Sequence, residues 1–120
     1  MLVTAIEPRR RLMSALFLDG EPLLVDTQTL LQSHIKPGDE LTEEALCQLL
    51  ETSNRRRAQE KALNLLSYRE HSKAELVKKL TAASSRQAAE GAAERMVELG
   101  LVNDERFARQ YAEQLLFHKR

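Results

Sequence analysis

Leu99-Gly100-Leu101-Val102-Asn103-Asp104-Glu105-Arg106-Phe107-Ala108 has the pattern of a tight corner between two helices. Glycine takes the left-handed conformation that closes a helix at little cost, so Gly100 ends one helix. Leu101 and Val102 bridge the gap. The side chains of Asn103 and Asp104 accept hydrogen bonds from the unpaired N–H groups of a first turn, so they open the next helix. Phe107 is its first apolar anchor.

The helical pattern extends in both directions. Upstream, Ala89, Ala92, Ala93, Met96 and Leu99 recur at helical spacing, and their mostly small side chains admit a close neighbour. Further back, Ser72 and Glu75 have the S-x-x-E spacing of a capping box ahead of Leu76, Val77 and Leu80. Ala58, Ala62, Leu65 and Leu66 share one face of a helix that ends near Arg69. Residues 57–99 therefore predict a three-helix cluster with short connections. Downstream, Phe107, Tyr111, Ala112 and Leu115 form a stripe with no evident partner. An amphipathic helix must bury its stripe. The helix over 103–120 packs back on the cluster, opens a second unit, or self-associates with another copy.

The N-terminal part reads as strand. Val3–Ile6 and Arg11–Leu18 are rich in apolar residues, and Asp19-Gly20 is a strong two-residue hairpin signal. Pro22–Val25 returns, with Pro22 confined to a strand start or a sheet edge. Three short strands need a cover on one face. That cover is the weak helix Thr27–Ser33 or the helix after Thr42, where Glu43 and Glu44 favour a first turn. Leu46, Leu49 and Leu50 form its stripe. Thr52-Ser53-Asn54 either breaks this helix or is passed through by one long rod running on through Arg55-Arg56-Arg57. We place the boundary there: 1–54 is a strand-containing segment with a covering helix, and 55–120 is a three-helix repeat plus the first helix of a second. The fold class is mainly α, with a small N-terminal three-strand element.

Eighteen basic and eighteen acidic residues balance to zero, which argues against binding nucleic acid by bulk charge. The sum hides an asymmetry: residues 1–54 hold 4 basic and 9 acidic side chains, and residues 55–120 hold 14 and 9. The single cysteine, Cys47, excludes an internal disulfide and stands beside the Leu46/Leu50 stripe as a small buried hydrophobe. No apolar run reaches membrane-spanning length and no secretory signal is present, so the expectation is a cytoplasmic protein without membrane contact. His34, His71 and His118 are isolated, and there is no glycine-rich phosphate loop. We expect no enzyme, no cofactor and no metal.

The segment Ser72-x-x-Glu75-Leu76-x-x-Lys79-Leu80, followed by the stretch 99–108, resembles the first repeat of the RecX family. Ala62-Leu63-x-x-Leu66-x-x-Arg69 fits the first helix of that repeat. Phe17-Leu18-Asp19-Gly20-Glu21 and Gly38-Asp39-Glu40-Leu41 look like the strand-containing N-terminal region of some members, so the resemblance spans nearly the whole chain. It implies a non-enzymatic regulator that binds RecA, or the RecA filament on single-stranded DNA, and inhibits its recombinase, ATPase and co-protease activities, moderating repair and the SOS response. Members usually carry three tandem repeats. One repeat and an opening helix imply a short or truncated member.

The residues expected to meet the partner are basic. Arg55, Arg56 and Arg57 at a helix start would oppose the dipole, which leans toward function; a continuous helix removes that argument. Lys73, Lys78 and Lys79 lie off the Leu76/Leu80 stripe. With Arg69, Arg106 and Arg109 they make a candidate face for an acidic filament surface, with a weak direct contact to DNA phosphates. A helical nucleic-acid-binding domain acting on DNA directly is the alternative. Arg9-Arg10-Arg11 reads as a solvated turn, Ser72, Glu75, Asn103 and Asp104 as structural caps, and Phe107 and Tyr111 as core.

Overall fold

The computed structural model describes residues 1–118. In chain order it contains β1 (Val3–Pro8), β2 (Met13–Leu18), β3 (Glu21–Asp26), α1 (Thr27–Ser33), α2 (Glu43–Tyr68), α3 (Lys73–Ala83), α4 (Arg86–Glu98) and α5 (Asp104–His118). The chain divides into two compact units, one of Met1–Arg56 and one from Arg57 onward. It is mainly helical with one three-stranded sheet.

In the first unit the strands pair antiparallel in the order β1-β2-β3. Asp19 and Gly20 both have positive φ, 50° and 85°, and place Leu18 opposite Glu21. A two-residue turn of this hand matches the twist of the strands it joins. Pro22 lies on β3, an edge strand, where its missing N–H costs nothing. Arg9, Arg10 and Arg11 form the exposed β1–β2 turn, with Arg11 and Leu12 left-handed and Arg9 paired to Glu7. The core is Val3, Leu16, Val25, Leu30, Leu41 and Leu49, with Leu46 and Leu50 half-buried. Both expected covers therefore contribute, α1 through Leu30 and α2 through its leucine stripe. Cys47 is exposed, against expectation. One residue along a helix rotates by about 100°, which carries Cys47 off the stripe that Leu46 and Leu50 share.

Thr52-Ser53-Asn54 does not break α2. Ser53 is buried, and its Oγ accepts the Asp26 N–H at 2.8 Å. Asp26 caps α1: its Oδ2 accepts the Thr29 N–H, the Thr29 hydroxyl and Arg56 Nε, at 2.9, 2.9 and 3.0 Å. The polar residues that read as a breaker are where the helix is braced to the end of β3.

In the second unit the core is Ala58 and Ala62 of α2, Leu76 and Leu80 of α3, Ala88, Ala89, Ala92, Ala93 and Met96 of α4, and Val102. Leu65, Leu66 and Val77 pack half-buried against it. The alanines let the helices approach closely. Leu76, Leu80 and Met96 are each fully buried, contributing about 1.5–3 kcal/mol apiece. Ser72 and Ser85 cap α3 and α4 with their hydroxyls. The α4 end is a Schellman motif: Leu101 N donates to Met96 O, Gly100 N donates to Val97 O, and Gly100 has φ 76°. Leu99, expected on the buried stripe, is half exposed because it is the C-cap and leaves the helix face.

Phe107 stacks on Tyr111 at 6.3 Å between ring centroids and is half-buried. Tyr111 and Leu115 are 56% and 51% exposed, so the expected core role fails for Tyr111 and holds only partly for Phe107. The two aromatic rings shelter each other instead. Lys119 and Arg120, the end of the helix expected over 103–120, and the His118 side chain lie outside the described residues.

Candidate partner-binding surface

The corner formed by the end of α2, the start of α3 and the start of α5 gathers most of the polar residues picked out by the sequence. At the start of α3, Ser72 Oγ accepts the Glu75 N–H at 3.1 Å. Asp104 Oδ1 accepts the Lys73 N–H at 2.8 Å across 31 residues of sequence. Two otherwise unpaired donors of the first turn are thus satisfied, one of them by the first residue of α5. Asn103 Oδ1 caps α5 by accepting the Arg106 N–H at 2.9 Å.

Glu75 sits where a capping-box glutamate sits, yet its carboxylate turns to Arg69, with contacts of 2.7 and 3.1 Å. That guanidinium holds the Glu75 carboxyl below its usual range and raises its own pKa in return. The capping box is therefore half made. Arg106 faces Glu70, with Nε 2.8 Å from Oε1 and Nη2 3.1 Å from Oε2. His71 is buried, its Nδ1 3.0 Å from the Arg69 carbonyl and its Nε2 3.0 Å from Lys79 Nζ. An ammonium only donates, so Lys79 donates to Nε2 of the ring.

The nine basic candidates do not make one face. Arg56 is held by Asp26, Arg69 by Glu75, Lys73 by Glu94, Arg106 by Glu70 and Arg109 by Glu105. Glu94 raises the Lys73 pKa through its hydrogen bond and charge. Lys79 donates to His71. Arg55, Arg57 and Lys78 are exposed. Arg55-Arg56-Arg57 stands in the interior of α2, not at a helix start, so the dipole argument for these residues falls. Consecutive helix positions point about 100° apart, so the triplet splays: Arg56 turns to Asp26 while its neighbours face solvent.

Residues of the stretch 99–108 build the corner itself. Gly100 closes α4, Val102 enters the core, Asn103 caps α5, Asp104 caps α3 and Arg106 clamps Glu70. The most legible motif of the chain is a folding device. Two surface residues escaped the sequence reading, Lys61 and Tyr68, both exposed. Their spacing from Arg57, four and eleven positions, is the signal that finds them. A shallow pocket of about 460 Å³ lies beside Tyr68, lined by Leu66, Glu70, Gly100, Leu101 and Arg106. Among the described residues no group of three histidine, cysteine or carboxylate side chains converges on a metal site. No helix of the structure is long and apolar enough to cross a membrane.

Comparison with known proteins bears on this unit first. Residues 58–83, the end of α2 through α3, match the family model of the RecX first three-helix domain. No curated protein matches the sequence. Among solved structures the chain is similar to the crystal structure of regulatory protein RecX, with 23% identity, a TM-score of 0.63 and 95% of this chain covered. The chain spans 58% of the length of that structure. The structural likeness carries the fold, including the N-terminal sheet that the family model does not reach. The sequence match and the structural likeness agree: residues 58–83 resemble the RecX first three-helix domain, and the fold is similar to that of regulatory protein RecX.

Proposed function

We propose that this chain regulates a RecA-type recombinase: it binds the RecA filament on single-stranded DNA and lowers its recombinase, ATPase and co-protease activities. It thereby moderates recombinational repair and the SOS response, acting in the cytoplasm as a binding protein rather than an enzyme. The observation that supports this reading is the match of residues 58–83 to the RecX first three-helix domain, in a unit whose corner is tied by Asp104 to Lys73 and by Arg106 to Glu70. Direct action on DNA is the weaker reading, because five of the nine candidate cations are neutralised by carboxylates and the chain carries no net charge.

Co-sedimentation with RecA filaments assembled on single-stranded DNA, run beside naked DNA at the same salt, tests it. The chain is expected to pellet with filaments and to stay in the supernatant with DNA alone. Equal binding to naked DNA would establish the direct-DNA reading instead, and binding to neither would overturn both.

A further inference from the structure

From Arg57 to its end, α2 presents one line of exposed side chains: Arg57, Lys61, Asn64 and Tyr68. Positions i, i+4, i+7 and i+11 fall on one helix face over about 16 Å. Its two cations, like Lys78, lack the carboxylate partner that most described cations of this unit have. Arg69, Lys73, Arg86, Arg95, Arg106 and Arg109 each hold a carboxylate. Among the described residues none pairs with Arg57 or Lys61, although the two like charges stand one turn apart. Tyr68, at the end of the line, is 81% exposed and lines the pocket that also holds Leu66, Glu70, Arg106 and Leu101, the last itself 40% exposed.

Resting on the regulator reading above, we infer that this line is the docking surface for an acidic protein segment of the filament. Two carboxylates about one helical turn apart meet Arg57 and Lys61. About 10 Å further along, an apolar side chain covers Tyr68 and enters the pocket at Leu66 and Leu101. Charge complementarity selects the partner, and the tyrosine supplies a large, rigid anchor; arginine and tyrosine are the side chains enriched where protein interfaces carry their energy. A nucleic-acid strand fits less well. The cations stop after Lys61, and the line continues as an amide and a phenol.

The test uses the full chain and two variants, the double reversal Arg57→Glu/Lys61→Glu and Tyr68→Ala, with Lys36→Glu as a surface-charge control. All four substituted positions are exposed, and circular dichroism melts check that each variant folds. Affinity for RecA filaments and for naked single-stranded DNA is read by fluorescence anisotropy. The double reversal is expected to weaken filament binding at least tenfold and Tyr68→Ala several-fold, with the control unchanged. Filament binding by the parent chain that both variants retain would overturn the docking surface while leaving the regulator reading intact. Failure of the parent chain to bind filaments would overturn the regulator reading, and this inference with it. Naked-DNA binding lost in the double reversal would assign the line to nucleic acid and overturn the protein partner.

Discussion

The two units are held together with different materials. The first packs large aliphatic side chains, Val3, Leu16, Val25, Leu30, Leu41 and Leu49, between a small sheet and its covering helices, and braces one end with the buried Asp26. In the second, six of the ten core residues are alanines, and half-exposed ion pairs tie its corner: Arg69 to Glu75 and Arg106 to Glu70. A core of large residues stores its stability in area. A core of small residues gains close helix approach and leaves the polar rim to fix which helix ends meet. The difference teaches where each unit is vulnerable: the first at its buried polar brace, the second at its few large core residues.

The sharpest way to break the comparison is to remove one large side chain from each core. Leu76→Ala is expected to cost about 2–5 kcal/mol, because the surrounding alanines cannot collapse into the space. Amide exchange should then accelerate across α3 and α4 while the strands stay protected. Leu16→Ala, fully buried in the first unit, is expected to give the reverse pattern at similar cost. Uniform loss of protection in both variants would mean that the two cores unfold as one.

A smaller effect is expected at Asp26. Asp26→Ala leaves the Thr29 N–H, the Thr29 hydroxyl and the Arg56 guanidinium without their shared acceptor. The expected loss is about 1–3 kcal/mol, read by urea unfolding, with faster exchange concentrated in α1 and the end of β3. An unchanged midpoint would show that water replaces the carboxylate freely and that the brace contributes nothing.

The smallest effect belongs to the second unit's rim. The Glu75 carboxyl is held below its ordinary pKa by Arg69. Its contribution is therefore fully present above the ordinary carboxylate value of about 4.3 and disappears as pH falls through the lowered value in the folded protein. Both partners are at least a third exposed, so solvent screening limits the pair to about 0.5 kcal/mol. Glu75→Gln should melt slightly below the parent at pH 7, and the gap should close under acid. A gap that persists at pH 2 would place the effect in packing rather than in charge.

What the sequence discloses follows the same division. Local code is legible: the Asp19-Gly20 turn, the Gly100 helix stop, the Ser72 and Asn103 caps and the leucine stripe of α2 all act within a few residues of themselves. Contacts between positions far apart in sequence are not. Nothing in the spacing reveals that Ser53 serves Asp26, which is why a polar triplet in a continuous helix reads as a break. Nor does spacing reveal that Asp104 caps α3 or that Arg106 and Arg69 are spent on carboxylates, so a basic stretch reads as a basic face. The buried role expected of Cys47 failed by a single helical position. The line from Arg57 to Tyr68 is legible by helical spacing, but a run of consecutive charges does not show it, because neighbouring helix positions point about 100° apart.

We propose that this chain restrains a RecA filament. Steady-state ATP hydrolysis by RecA on single-stranded DNA, titrated with the chain, measures it most directly. Inhibition is expected to saturate below one chain per RecA protomer and to be lost in Arg57→Glu/Lys61→Glu. Hydrolysis that stays unchanged at a severalfold excess of the parent chain, under conditions where it remains folded, would contradict it.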